Sequence, residues 1–329
     1  MKQKRVRRLL YELLILILVL LLLGAVLFQA GYALMPERSI YGSTWPFFLR
    51  EQDNSVDVLI LGSSRVYCNV IPSRIYARTG VTSYIMAGPS QSPDLTYFYL
   101  RECLRTQRPK YVFMEVSGAF FGDPGSDAKP NVCYMPFSIN RIRAAQCCRE
   151  TDLKLALFPL EEFHYRIYDE NKPQSNYDGE LLCGYTPLSE ANPQPEERIP
   201  RTHSALPGSE RWDTNLSYLH KIARLCREEG IPCFFFLCPT RQYYDPDAVD
   251  LLRKELLAEP GVTFENWMYL DDALGIDPQT QWHDSLHFNT SGAEIFTDHL
   301  SDYIRQLGLP PTDGEDEDLW QRRVSYPLP

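Results

Sequence analysis

Two short clusters carry residue types that can do chemistry together, Gly62-Ser63-Ser64 and Asp284-Ser285-Leu286-His287. A serine hydroxyl is too weak to attack a carbonyl unaided and needs a general base beside it. A carboxylate three residues before a histidine on a turn can accept one imidazole N–H, which fixes the tautomer and leaves the other ring nitrogen to take a proton. Ser64, His287 and Asp284 are therefore the candidate triad of a serine acyl-transfer site. Each cluster also has a plainer reading, since Gly-Ser-Ser is an ordinary loop sequence and a histidine ahead of a helix is often a surface or capping residue. His283, directly before Asp284, reads as structural.

The elements around these clusters point to a parallel sheet. Val58 to Gly62 is a short apolar run ending on glycine, which predicts a buried strand that delivers the serines at its carboxyl end, where open α/β sheets place their chemistry. Ile71-Pro72-Ser73 starts a helix, and Thr82 to Met86 is a second strand running into Gly88. Ser92-Pro93-Asp94 opens a helix with Leu95, Phe98, Tyr99, Leu100 and Leu104 on its core face, and Tyr111 to Val116 is a third strand. Strand, helix and strand with short connections imply right-handed crossovers. From 117 to 207 the pattern loosens into an insertion in which only Ile139 to Phe158 has helical periodicity. Regularity returns with a helix over Ser209 to Glu229 closed by Gly230, a strand over Pro232 to Leu237, a helix over Asp245 to Ala258 and a strand over Val262 to Asn266. Ser291-Gly292-Ala293-Glu294 reads as the capping box of the final helix. Arg65 and Arg241 fall on strand-end loops and are candidates for holding an anionic substrate group, or else solvated arginines.

The chain has 329 residues, and its first 12 include Lys2, Lys4, Arg5, Arg7 and Arg8. Leu13 to Met35 then carries no charge, and about 20 apolar residues suffice to cross a hydrocarbon core of about 30 Å. The segment 13–35 is expected to be a transmembrane anchor with the basic N-terminus cytoplasmic and the rest extracytoplasmic. A cleaved signal peptide is the alternative, with Gly31-Tyr32-Ala33 as small residues at the cleavage site. Residues 36–52 read as a linker, with Trp45, Phe47 and Phe48 serving either the membrane interface or domain packing. The globular domain spans 53–309, and the acidic tail 310–329 reads as solvated.

The net charge of −10 rests on 43 acidic against 33 basic residues. An acidic domain with no Lys/Arg cluster lacks the footprint for nucleic acid. Nine cysteines, an odd number, show neither a framework spacing nor paired C-x-x-C zinc ligands, so mostly buried free thiols are expected, with one or two bridges left open. No metal and no cofactor is expected.

In order and spacing, Gly62-Ser63-Ser64, Gly88 and Asp284-x-x-His287 resemble blocks I, II and V of the SGNH/GDSL hydrolase superfamily over roughly 56–307. The resemblance implies a three-layer α/β/α, flavodoxin-like domain around a central parallel sheet. It also implies that Ser64 is the nucleophile, with Ser63 where an aspartate is common, and that the N–H groups of Ser64 and Gly88 form the oxyanion hole. The third block, G-x-N-D, is absent: that stretch reads Met114-Glu115-Val116-Ser117-Gly118. Loss of one oxyanion donor typically costs about 10² to 10³ in rate. Ser117, or a residue of the insertion, is expected to stand in. The serine pair, the anchor and the missing block are similar to membrane-anchored proteins of alginate O-acetylation and teichoic-acid D-alanylation, which implies a membrane-bound O-acyltransferase partner and an acylated polysaccharide or polyol substrate. Three functions follow: an envelope O-acyl-transfer protein, an extracytoplasmic esterase, or a decayed polysaccharide-binding module.

Overall fold

The structure, a computed structural model, describes residues 2–34, 44–122, 128–147, 158, 160–164, 177–201, 205–312 and 316–329. Helix α1 (Lys2–Ala33) is followed by α2 (Trp45–Phe48), β1 (Val58–Gly62), α3 (Ser64–Tyr67), α4 (Pro72–Thr79), β2 (Ser83–Ala87), α5 (Pro93–Cys103) and β3 (Tyr111–Glu115). A 3₁₀ turn (Ser117–Phe120) leads into the insertion, which holds α6 (Ala128–Tyr134), α7 (Ile139–Cys147), α8 (Leu160–Phe163), α9 (Gly179–Leu182) and β4 (Ile199–Pro200). The remaining elements are α10 (Glu210–Glu228), β5 (Cys233–Leu237), β6 (Gln242–Tyr243), α11 (Pro246–Leu257), β7 (Val262–Asn266), α12 (Asp271–Leu274), α13 (Thr290–Gln306) and α14 (Glu317–Ser325).

Five parallel strands form the central sheet in the order β2-β1-β3-β5-β7. Side chains alternate across a strand, so one short apolar run feeds two cores. Leu59 and Leu61 of β1 face α5 and α10, where Leu95, Phe98, Leu219 and Ile222 are buried. Val58 and Ile60 face α4 and α13, where Ile75, Phe296, Leu300 and Ile304 are buried. This is why the strands are apolar at consecutive positions, as the sequence suggests for a sheet covered on both faces. The chain adds β2 on one side of β1 and all later strands on the other, so the order reverses between β1 and β3. Crevices at such a reversal, beyond the carboxyl ends of the strands, are where open sheets bind ligands.

Several local expectations need correction. The tail is not simply solvated: Asp316 caps α14, Trp320 is buried and stacks on Tyr76 of α4 at 4.6 Å, and Arg323 pairs with Glu51. The acidic run thus starts a helix, where carboxylates suit the N-terminal dipole. Within the linker, Trp45 and Phe48 are core residues, and Trp45 meets Tyr99 edge-on at 5.0 Å, so 45–48 belongs to the domain. The cap of α13 is Asn289, which accepts the Gly292 N–H at 3.1 Å, rather than the Ser291 box. Helical structure over 139–158 is seen for Ile139–Cys147, and 148–157 lies outside the described residues. All eight cysteines among the described residues are free thiols, seven of them buried. Cys148 lies outside that set.

Candidate active site

Ser64 is the first residue of α3, directly beyond β1. Gly62 makes the turn possible: its φ is 153°, and a Cβ there would lie 3.0 Å from Glu115 Cβ and 3.1 Å from Val66 Cγ2. Glycine alone accepts that conformation and that approach. Ser63, nearly inaccessible, caps α3, so of the two serines Ser64 is the one left partly open.

The His287 ring lies between Ser64 and Asp284. Its Nε2 is 2.8 Å from Ser64 Oγ, and its Nδ1 is 2.8 Å from Asp284 Oδ2. An ionised carboxylate can only accept, so the proton belongs on Nδ1 and the Nε2 lone pair receives the serine O–H. Asp284 Oδ1 also accepts the backbone N–H of Leu286 at 2.7 Å and of His287 at 3.0 Å. Burial pushes the Asp284 carboxyl up, but the bond to His287 and these N–H donors outweigh it and hold the group below the ordinary aspartate range. The carboxylate thus stays charged and supports an imidazolium.

The 282–288 loop is fastened from three directions, none of them signalled in the sequence. Asn69, fully buried just after α3, donates to Leu286 O at 3.2 Å and accepts the Phe288 N–H at 2.9 Å. After β5, the Arg241 N–H and the Thr240 hydroxyl both donate to Ser285 O, at 2.9 and 3.2 Å, and Gln242 Nε2 donates to Ser285 Oγ at 3.1 Å. From the insertion, Asn192 Nδ2 donates to His283 O at 2.6 Å. The backbone N–H of His283 closes the turn on His287 O at 2.8 Å. Trp282 and Phe288 pair at 4.3 Å across the loop's base.

Gly88 follows β2, whose Ala87 is in register with Gly62, so the two strand ends lie side by side. The carboxamide of Asn131, on α6, is packed directly on this glycine: a Cβ at Gly88 would meet Asn131 Oδ1 at 2.1 Å. Asn131 is held there by its Nδ2 donating to Pro89 O at 2.8 Å and by Tyr99 Oη donating to its carbonyl at 2.7 Å.

The three candidate substrate-binding residues are all turned inward, contrary to expectation. Ser117 is fully buried and donates from both Oγ (2.7 Å) and N (3.1 Å) to Glu115, which removes it as an oxyanion donor. Arg241, 2% exposed, pairs with Asp271 at 3.1 Å and donates to the carbonyls of Pro195 and Glu196. It clamps the insertion to α12 rather than reaching a ligand. Arg65, 1% exposed, donates to Tyr244 Oη at 2.6 Å and lies near Glu115. Burial raises the Glu115 carboxyl, opposed by the Arg65 charge and by hydrogen bonds from Ser117. Glu115 is thus buried beside the serine turn, held by Ser117 and close enough to Arg65 to feel its charge.

Among the described residues no three His, Cys, Asp or Glu side chains are placed to hold a metal ion. No protein-family model and no curated protein matches the chain.

Proposed function

We propose that the protein is an extracytoplasmic SGNH-type serine acyl-transfer protein, held to the membrane by α1 and acting on O-acyl groups of a cell-envelope polysaccharide or polyol. The observation that carries the reading is the unbroken chain Ser64 Oγ, His287 Nε2, His287 Nδ1, Asp284 Oδ2, with both contacts at 2.8 Å. A decayed binding module would have no need to hold this hydrogen-bonded relay or to fasten its loop from three sides. The strand reversal between β1 and β3, with Ser64 at its lip, agrees with the expected fold. Helix α1 supports the anchor, since Gln3–Gly31 is long and apolar enough to cross a membrane and none of its most apolar window is buried.

Ser64 Oγ attacks the carbonyl carbon of an acyl ester as its proton passes to His287 Nε2. The resulting imidazolium is stabilised by Asp284. Collapse of the tetrahedral intermediate breaks the ester C–O bond, and His287 gives its proton to the departing hydroxyl, leaving an acyl ester on Ser64. An acceptor hydroxyl, deprotonated by His287, then takes the acyl group and releases Ser64. Water in place of the acceptor makes the same site an esterase. The backbone N–H groups of Ser64 and Gly88 serve the oxyanion. Asn131 brings to the same strand end the group type that the missing third block would have supplied. A membrane-bound O-acyltransferase would supply or receive the acyl group.

The reading is tested with p-nitrophenyl acetate and the full chain in detergent. Release of p-nitrophenolate should fall by about 10⁴-fold or more in Ser64→Ala and His287→Ala, as for members of a cooperating triad. Release that is equal in all three proteins would remove Ser64 from the chemistry.

A further inference from the structure

The last turns of α1 are seated on the insertion, and their height in a bilayer can be worked out. An ion pair between Arg8 and Glu12 ends the charged part of the helix, and Leu13 begins the apolar part. At about 1.5 Å per residue, Phe28 stands about 22 Å above Leu13, inside a hydrocarbon layer of about 30 Å; any tilt of the helix lowers it further. The ring of Phe28 meets the ring of Phe137 edge-on at 5.0 Å. Helix α8 packs on α1 as well, and Leu34 at the helix end packs against the domain core. The domain therefore sits close on the end of the span.

Around this junction the insertion turns large apolar side chains outward. Phe137 is 47% exposed, Ile139 57% and Phe158 37%. Phe137 touches α1 directly, Ile139 begins α7 two residues later, and the carbonyl of Phe158 accepts the Glu161 N–H at the start of α8. Exposed Arg143 lies one turn from Ile139 on the same face of α7. Aromatic and aliphatic side chains with a basic residue beside them are the composition that enters the interface about 5–10 Å deep.

We propose that Phe137, Ile139 and Phe158 form a second membrane contact, inserted into the outer lipid interface beside α1, so that the domain is held against the bilayer at two points. This rests on the reading of α1 as a membrane span. The occupant is lipid because a residue in contact with Phe28 cannot leave the depth that Phe28 occupies.

The test places the photo-crosslinking amino acid p-benzoylphenylalanine at position 20, 137 or 243 of the full chain in the membranes that carry it. Position 20 reports on the span, and exposed Tyr243, beside the Ser285 loop, is the control. Lipid adducts from 20 and 137 and none from 243 are expected. Adducts from 20 with none from 137 would overturn the second contact while leaving the anchor intact. An adduct from 137 to a second polypeptide, in place of lipid, would overturn it in favour of a protein partner. No lipid adduct from 20 would remove the span and the proposal together.

Discussion

Asn69 accepts the Phe288 N–H at 2.9 Å, and the same carboxamide donates to Leu286 O at 3.2 Å, so one buried side chain grips the chain on both sides of His287. The helix turn that presents Ser64 and the loop that presents the base are thereby tied to each other. Asn69→Ala should leave the acyl substrate bound as before but lower kcat, because a catalytic group displaced by about 1 Å can cost on the order of 10²-fold. It should also cost about 1–3 kcal/mol of stability through the unpaired backbone groups. Steady-state kinetics and thermal unfolding check both, and a rise in KM at constant kcat would contradict a positioning role.

Asp284 gives a pH signature. Its folded-state carboxyl is held below the ordinary range, so its contribution to stability is fully present above the unfolded value of about 3.9 and is lost as pH falls through the lower folded value. Asp284→Asn should therefore approach wild-type stability at strongly acidic pH and fall behind it as pH rises to about 5, with no further divergence above. Melting temperatures of the two proteins across that range decide it. A deficit that is constant with pH would contradict the assignment.

Gly88 and Asn131 should be coupled. Gly88→Ala forces a Cβ into the Asn131 carboxamide, and overpacking of this kind costs about 1–3 kcal/mol. In Gly88→Ala/Asn131→Ala the collision is gone, so the double variant should lose less stability than the sum of the singles. Denaturant unfolding of the four proteins measures the coupling, and strict additivity would show that the two residues do not share the site.

Much of the fold was legible because burial on both faces of a parallel sheet writes itself as short apolar runs; β7 begins and ends at the expected Val262 and Asn266. The triad was legible because Asp284 and His287 are close in sequence and a turn suffices to join them. What a side chain on a strand-end loop does was not legible. Arg65, Ser117 and Arg241 all sit at the correct ends of strands, yet Tyr244 and Asp271, from other parts of the chain, turn the two arginines inward, and Glu115, two residues away, does the same to Ser117. Asn69 and Asn131, both buried, and exposed Asn192 carry no motif, since an asparagine of this kind is recognised only by the backbone it satisfies. The acidic run before α14 concealed Trp320 and Arg323, whose buried face became apparent only against Tyr76 and Glu51.

The tail accordingly should matter for stability. Trp320→Ala removes a buried ring and should cost about 3–5 kcal/mol, lowering the melting temperature by on the order of 10 °C. Calorimetry of the full chain reads this directly, and an unchanged melting temperature would return the tail to the solvated reading.

The central claim is that Ser64 carries the acyl group. The full chain would be incubated with p-nitrophenyl acetate, quenched in acid and digested, and the peptide spanning Ser64 weighed by mass spectrometry beside that of His287→Ala. The account predicts an acetyl ester on Ser64 in the wild type and none in His287→Ala. A well-folded wild-type protein that consumes the ester with its acetyl group on another residue, or that never acquires one, would contradict it.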